Sequence, residues 1–333
     1  MSDRSDIPSG EDSLIARYFK PLATDLGAFG LRDDAALIKA DGHDLVINTD
    51  AIVEGVHYLP DDPPDTIARK ALRVNLSDLA AKGAEPAGFV LTLALRDVDE
   101  SWLSAFAQGL GEDARAFGCP LLGGDTVSTP GPVMISVTAW GRVPVGRMVH
   151  RFGARPGDRV MVTGTIGDAS LGLAVLQGKP AAAALAADPT AREMLIGRYR
   201  LPQPRNALAA AVRDVATASI DVSDGLAGDL AKLCAASGVT ADIELAKIPT
   251  SPATASLLAR GATDLEAITS GGDDFEILCT VPDDRRKALT EEALRAGVAV
   301  TDIGVIVAGE GVPRFRDAQG RAVTLKRLSF SHF

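Results

Sequence analysis

Five stretches of the chain carry aspartate at the end of, or within, an apolar run. They are "RDDAAL" (Asp33, Asp34), "NTDAIVEGVH" (Asp50), "NLSDLAAKGAEP" (Asp78), "LLGGDT" (Asp125) and "SIDVSDGL" (Asp221, Asp224). A buried carboxylate is costly unless a cation or several donors meet it. For any one of these acids alone the plainer reading is a helix cap. The repetition points further, because carboxylates gathered in one cleft cannot all stay ionised without cations, and few basic residues lie near them in the sequence. Hard oxygen donors in this number suit Mg2+, which keeps waters and bridges to phosphates. The chemistry to expect is phosphate chemistry assisted by metal ions.

Other chemistries find less support. There are four histidines, His43, His57, His150 and His332, so a Ser-His-Asp hydrolase has little basis; only His57, just after "DAIVEG", sits in a loaded context. No GxxxxGK[ST] motif occurs, which excludes a Walker-type lysine cradle. "VTGTIGDASLG" follows a strand and opens a helix, but its spacing is not GxGxxG. It reads as a tight turn as readily as a phosphate loop.

The elements that must position these acids follow from periodicity. A capping pattern at Ser9 to Asp12 opens an amphipathic helix, "SLIARYFKPLA". "DLVINTD" and "AGFVLTLAL" read as strands, and "CPLLGGD" and "GPVMISVTAWGRV" as two more. Between them lie two helices. One runs from the prolines of "DDPPD" to Gly83 and puts Asp78 on the inward stripe of Ala71, Val74 and Asn75. The other aligns Trp102, Phe106 and Leu110 on one face. "PVGRMVHRFGARPGD" connects two lobes, expected at residues 1–147 and 148–333. The second lobe restarts with "DRVMVTG" and a helix at "DASLGLAVLQG", and the Ala-rich "KPAAAALAADPTA" reads as a surface helix or loop. It continues with a helix at "PRNALAAAVRD", the strand "TASIDVS" and the helix "DGLAGDLAKLCAASG". It closes as strand, helix and strand at "FEILCTVP", "EEALRAG" and "VAVTDIGVIVAG". The class is α/β or α+β. The first-lobe strands are apolar on both faces, which predicts that a second subunit covers one of them.

The bulk numbers set limits. The 333 residues carry a net charge of −10, which argues against a nucleic-acid partner. Three scattered cysteines fit neither a disulfide framework nor a zinc site. No apolar leader or membrane-length run is present, so the expected location is the cytoplasm.

Together with "TDAIVEGVHY", "GGDT", "RFGARPGDRVMVTGTIGDA", "GGDDFEILCTVP" and "SFSHF", these blocks resemble, in order and spacing, the thiamine-monophosphate kinase family. That family sits in the superfamily of aminoimidazole ribonucleotide synthetase and selenophosphate synthetase. The resemblance implies ATP-dependent phosphorylation of thiamine monophosphate to thiamine diphosphate. It also implies a homodimer whose four-stranded N-terminal sheets close a barrel, and several Mg2+ ions. Carried over by motif, Asp34, Asn48, Thr49, Asp50, Asp78, Asp125, Asp221 and Asp224 are metal ligands. Gly124, Asp125, Arg151 and Ser223 meet ATP, and His57, Asp273 and Phe330 meet the thiamine substrate. The chain departs from the family pattern at Arg32, Asn48, Val127 and Asp273, the last one methylene shorter than the usual Glu. Two rivals are a superfamily cousin that forms an iminophosphate and a nucleotide-binding protein without turnover.

Overall fold

The computed structural model describes residues 29–30, 32–33, 36–40, 42–97 and 99–329. The expected helix at "SLIARYFKPLA" and the candidates Asp34 and Phe330 lie outside these residues.

The first sheet is built from β1 (Ala36–Ala40), β2 (His43–Val53), β3 (Glu85–Leu95), β4 (Leu121–Ser128) and β5 (Met134–Pro144). Its order is β1-β2-β5-β3-β4, antiparallel throughout except for the parallel β3–β4 pair. The four long strands are those read from the sequence, and β1 adds a fifth, five residues long. Along β2 and β5 buried residues alternate with half-buried or exposed ones. Side chains of successive residues point to opposite faces, so the alternation gives the sheet one core face. The core face is packed by α1 (Pro64–Ala81) and α2 (Glu100–Ala116). Pro64 opens α1, where its missing N–H costs nothing. Asp99 caps α2 through the amides of Ser101 and Trp102. Trp102 stacks on Phe106 at 4.9 Å.

The second sheet holds β6 (Arg159–Thr163), β7 (Ala218–Asp221), β8 (Thr240–Glu244), β9 (Ile277–Val281), β10 (Val300–Val307), β11 (Arg314–Arg316) and β12 (Ala322–Val323), in the order β12-β11-β8-β10-β6-β9-β7. Its helices are α3 (Asp168–Leu176), α4 (Pro180–Ala184), α5 (Pro189–Arg200), α6 (Ala209–Val215), α7 (Leu226–Ser237), α8 (Pro252–Ala259), α9 (Leu265–Ser270) and α10 (Arg286–Arg295). The Ala-rich stretch holds the short α4, with Ala181 and Leu185 buried. Sequence patterning misses α5, α8, α9 and β8. The α5 run "PTAREMLIGRYR" has little amphipathic contrast, because it buries Arg198 along with Leu195, Ile196 and Tyr199.

Helix α1 ties the two sheets together. Twelve of its eighteen residues are buried. Most pack under the first sheet, while Ala80 and Ala81 join a core with Met161, Ile277 and Cys279 of the second. Among the described residues no helix is long and apolar enough to cross a membrane. Cys119, Cys234 and Cys279 are buried and unbridged. Burial pushes their thiols up, to about 11, 12 and 12 respectively, so they are poor nucleophiles.

Candidate active site

The acids of the first sheet meet at the junction of β2 and α1. Asn75, buried on α1, accepts from the Asp50 amide at 3.1 Å and from Asn48 Nδ2 at 3.2 Å. Asn48 Nδ2 also donates to Asp78 Oδ2 at 2.8 Å. The unusual Asn48 therefore orients Asp78, a task a hydroxyl with its single proton would do less fully. Asn48 Oδ1 is buried and has no hydrogen-bond partner. A buried oxygen left unsatisfied is costly, so this atom and the nearby carboxylates suit a hard cation. Thr49 turns elsewhere: its hydroxyl bonds the Val137 carbonyl and the Thr138 hydroxyl on β5.

A second group lies where β7 leaves its sheet. Val222 donates to the Glu276 carbonyl, Phe275 donates to that of Val222, and Asp273 donates to that of Ser223, each at 2.8 Å. "SIDVSDGL" and "GGDDFEIL" thus run side by side as an extension of the β7–β9 pair. Asp221 is buried at the end of β7. The amides of Ser223 and Asp224 both donate to Asp229 on α7, at 3.0 Å. Lys232 pairs with Asp224 and Asp229. Burial pushes the Asp229 carboxyl up; Lys232 opposes that shift and the Asp224 charge adds to it. The chain is tight here: a Cβ on Gly272 would lie 2.5 Å from the Ser223 carbonyl oxygen. Asp273 and Phe275 both adopt positive φ, at 72° and 51°. Non-glycine residues held in this region cluster at functional sites.

The two groups are joined along α1. Lys70, almost fully buried, donates to Asp273 Oδ2 at 2.7 Å and to the His57 carbonyl at 2.8 Å. Its ammonium lies 3.9 Å from the centre of the Tyr199 ring. His57 Nδ1 accepts from the Val53 amide at 3.0 Å, which places the ring proton of the neutral imidazole on Nε2. The expected pair His57 and Asp273 is therefore brought together by a residue that sequence reading overlooked.

Arg151 sits beside the segment that precedes Asp34. Its amide meets Asp33 Oδ2 at 3.2 Å and its Nε meets the Arg32 carbonyl at 2.9 Å. Burial pushes the Asp33 carboxyl up, but Lys82 at 2.7 Å and His150 outweigh it and hold the group well below the usual carboxylate range. Gly124 and Asp125 lie apart, on edge strand β4. The row Asp50, Val137, Leu91, Gly124 spans three strand spacings, or about 14 Å. Asp50 and Asp125 of this chain are therefore too far apart to share an ion. Gly124 is required there, since a Cβ would fall 1.9 Å from the Leu91 carbonyl oxygen.

One expectation needs correction: the acids do have basic partners, Lys70 and Lys82, distant in sequence and adjacent in space, and Lys232, near Asp224 in both. Among the described residues no three Asp, Glu, His or Cys side chains stand together as a cluster. Of its two readings, "VTGTIGDASLG" takes the tight turn: Asp274 occupies the α3 N-terminus, accepting from Gly167 at 2.7 Å and Ala169 at 3.3 Å, so a phosphate has no opening. Sequence reading also missed Asn75 and Lys70 as site residues. The signal was present, because both are polar residues on the inward stripes of an amphipathic helix.

The N-terminal and C-terminal domain models of AIR synthase related protein match residues 32–143 and 155–315. The thiamine-monophosphate kinase of Caulobacter vibrioides is 44% identical over 331 residues, spanning 98% of this chain and 91% of that one. That of Escherichia coli K12 is 43% identical over 331 residues, spanning 97% and 98%. The solved structure of AaThiL complexed with AMPPCP and TMP superposes with a TM-score of 0.78 at 30% identity, covering 92% of this chain and 97% of that one. With such identity along nearly its whole length, the chain belongs to the thiamine-monophosphate kinase family of AIR synthase related proteins.

Proposed function

We propose that the protein transfers the γ-phosphoryl group of ATP to thiamine monophosphate, giving thiamine diphosphate and ADP. The observation that carries this reading is the meeting of His57 and Asp273 at Lys70, beside the acid-bearing ends of β2 and β7. The relative solved with AMPPCP and TMP supports it, since an ATP analogue and the acceptor occupy one protein of this fold.

The acceptor is a phosphate monoester whose second pKa is about 6, so near neutrality its attacking oxygen is already ionised. No general base is required, which agrees with the scarcity of histidine. The difficulty is repulsion between two polyanions. Bound Mg2+ would supply the positive charge that clamps the ATP oxygens and screens the acceptor during in-line displacement. Asn48, Asp50 and Asp78 would hold it on the first sheet, Thr49 through its backbone because its hydroxyl is engaged on β5, and Asp221 and Asp224 on the second; Asp34 would add a ligand, and Asp125 would serve an ion not shared with Asp50 of the same chain. The orphaned Asn48 Oδ1 fits such an ion. So does the dispersal of the acids, because Mg2+ is usually held by one or two carboxylates together with substrate phosphates. Gly124, Arg151 and Ser223 would line the nucleotide. The Nε2–H of His57 can donate to the acceptor, and Asp273 faces its thiazolium, a fixed cation, with Phe330 as an aromatic wall.

Residues 1–147 would then carry the metal and dimer surfaces, and residues 148–333 would complete the nucleotide and acceptor sites. Every residue of β4 is exposed, and the strand carries Leu121, Leu122 and Val127 on an unpaired edge. Long exposed edges invite pairing with another chain, and a second copy would cover this one in a twofold dimer. Light scattering at micromolar concentration checks that; a monomer would contradict it. Buried, unbridged thiols suit a reducing cytoplasm. ADP release from ATP and Mg2+, measured with and without thiamine monophosphate, tests the activity. Release that does not depend on the acceptor would exclude the kinase.

A further inference from the structure

The geometry points to Lys70 as the positioning residue of the acceptor site, a latch that sets Asp273 and the His57 loop in register across the two sheets. This rests on reading the cleft as a thiamine monophosphate site. A lysine on a buried helix face is expensive, and here all three ammonium protons have a destination: the Asp273 carboxylate, the His57 carbonyl and the Tyr199 ring. Helical spacing puts Lys70 and Ser77 on one stripe, seven residues apart, and Ser77 also faces the 273–276 loop, near the Phe275 carbonyl. The His57 loop is held from α5 as well. Tyr199 donates to the same His57 carbonyl at 3.3 Å, and Arg200 pairs with Asp62 at 2.6 Å.

Two features separate this from a plain structural ion pair. The Lys70 side chain is 2% exposed, but that of Asp273 is 29% exposed, so the carboxylate keeps an edge open to solvent. Asp273 is also held at positive φ, a conformation that persists only when its surroundings enforce it. The pairing has an electrostatic consequence. An uncompensated Asp273 would add another negative charge beside Asp221 and Asp224 and repel the acceptor phosphate. Paired with Lys70 it is neutral overall, yet it still presents an oxygen to the thiazolium.

The test is steady-state kinetics of Lys70→Met, which preserves length and helix propensity, with each substrate varied in turn. The KM for thiamine monophosphate should rise at least about tenfold while that for ATP stays within about twofold. A lysine that merely supports the fold would lower the melting temperature and affect both substrates alike, which would overturn the assignment. Lys70→Arg keeps the charge and should recover part of the thiamine monophosphate KM; no recovery in a folded Lys70→Arg protein would count against the latch. Should Lys70→Met fail to fold, Asp273→Asn removes the other half of the pair at a half-buried position, and it must show the same selective rise. A wild-type enzyme that turns over thiamine monophosphate, combined with an unchanged KM in these variants, overturns the latch alone. A wild-type protein with no such turnover overturns the function and the latch together.

Discussion

Helix α1 buries Lys70, and its C-cap Lys82, twelve residues on, is buried as well; each bridges to a carboxylate. Lys82 and Asp33 are both fully buried; Lys82 Nζ also donates to the Ser219 carbonyl at 3.0 Å, and Asp33 is closed off by His150 and the Arg151 amide. Lys70 is almost equally buried, but its partner Asp273 is partly open to solvent. The chemistry is the same and the setting differs. A sealed pair can only hold segments together, and it does so at a high desolvation cost. A half-open pair can meet a ligand. The helix is thus a strut at one end and, in the proposed function, part of the acceptor site at the other.

The largest effect that would break this contrast belongs to the sealed pair. Lys82→Met leaves Asp33 buried without its cation and should cost about 3–5 kcal/mol of stability, measured by chemical denaturation. A change below about 1 kcal/mol would mean that water reaches Asp33. The acids near the open end should behave in the opposite way. Asp50→Asn should lower turnover at least ~100-fold with little change in melting temperature, because Asp50 is exposed. A folded Asp50→Asn protein with normal turnover would remove the metal reading of β2.

The pH dependence of stability sharpens the contrast further. Asp33 is depressed below its unfolded value, so its contribution is fully present above that value, near 3.9, and is lost as pH falls through the folded one. Denaturation of the wild type below about pH 4 should therefore be steeper than that of Asp33→Asn. Equal slopes would show that the sealed pair does not form in solution. The smallest effect concerns Phe330, next to the last described residue. Phe330→Ala should remove a cation–aromatic contact of about 0.5–2 kcal/mol and raise the KM for thiamine monophosphate alone, by roughly 2- to 30-fold. An equal rise for ATP would show that the tail does not line the acceptor pocket.

Local pattern was enough for the long strands β2, β3 and β5 and for helices α1, α2 and α7. Their apolar spacing is strong, and their ends carry proline, aspartate or glycine. It failed at α5, where Arg198 turns inward to meet Glu276, itself shared with Arg205. A buried ion pair erases the hydrophobic stripe that marks a helix. It also failed to show that the glycine turn before α3 is filled, because the carboxylate that fills it comes from Asp274, more than a hundred residues later.

The sequence by itself determined which side chains could do chemistry. Oxygen donors recur after apolar runs, histidine is scarce, no P-loop lysine exists, and the motifs of one family stand in order. These are properties of residue type and spacing, and they need no coordinates. Only the tertiary structure decided how the residues combine. Asn75 joins Asn48 to Asp50, Lys70 joins His57 to Asp273, and Asp125 stands about three strand spacings from Asp50. The contacts among these span from 13 to 203 residues of chain. Whether a buried charge finds its partner depends on that long-range packing, which a periodicity of two or 3.6 residues does not encode.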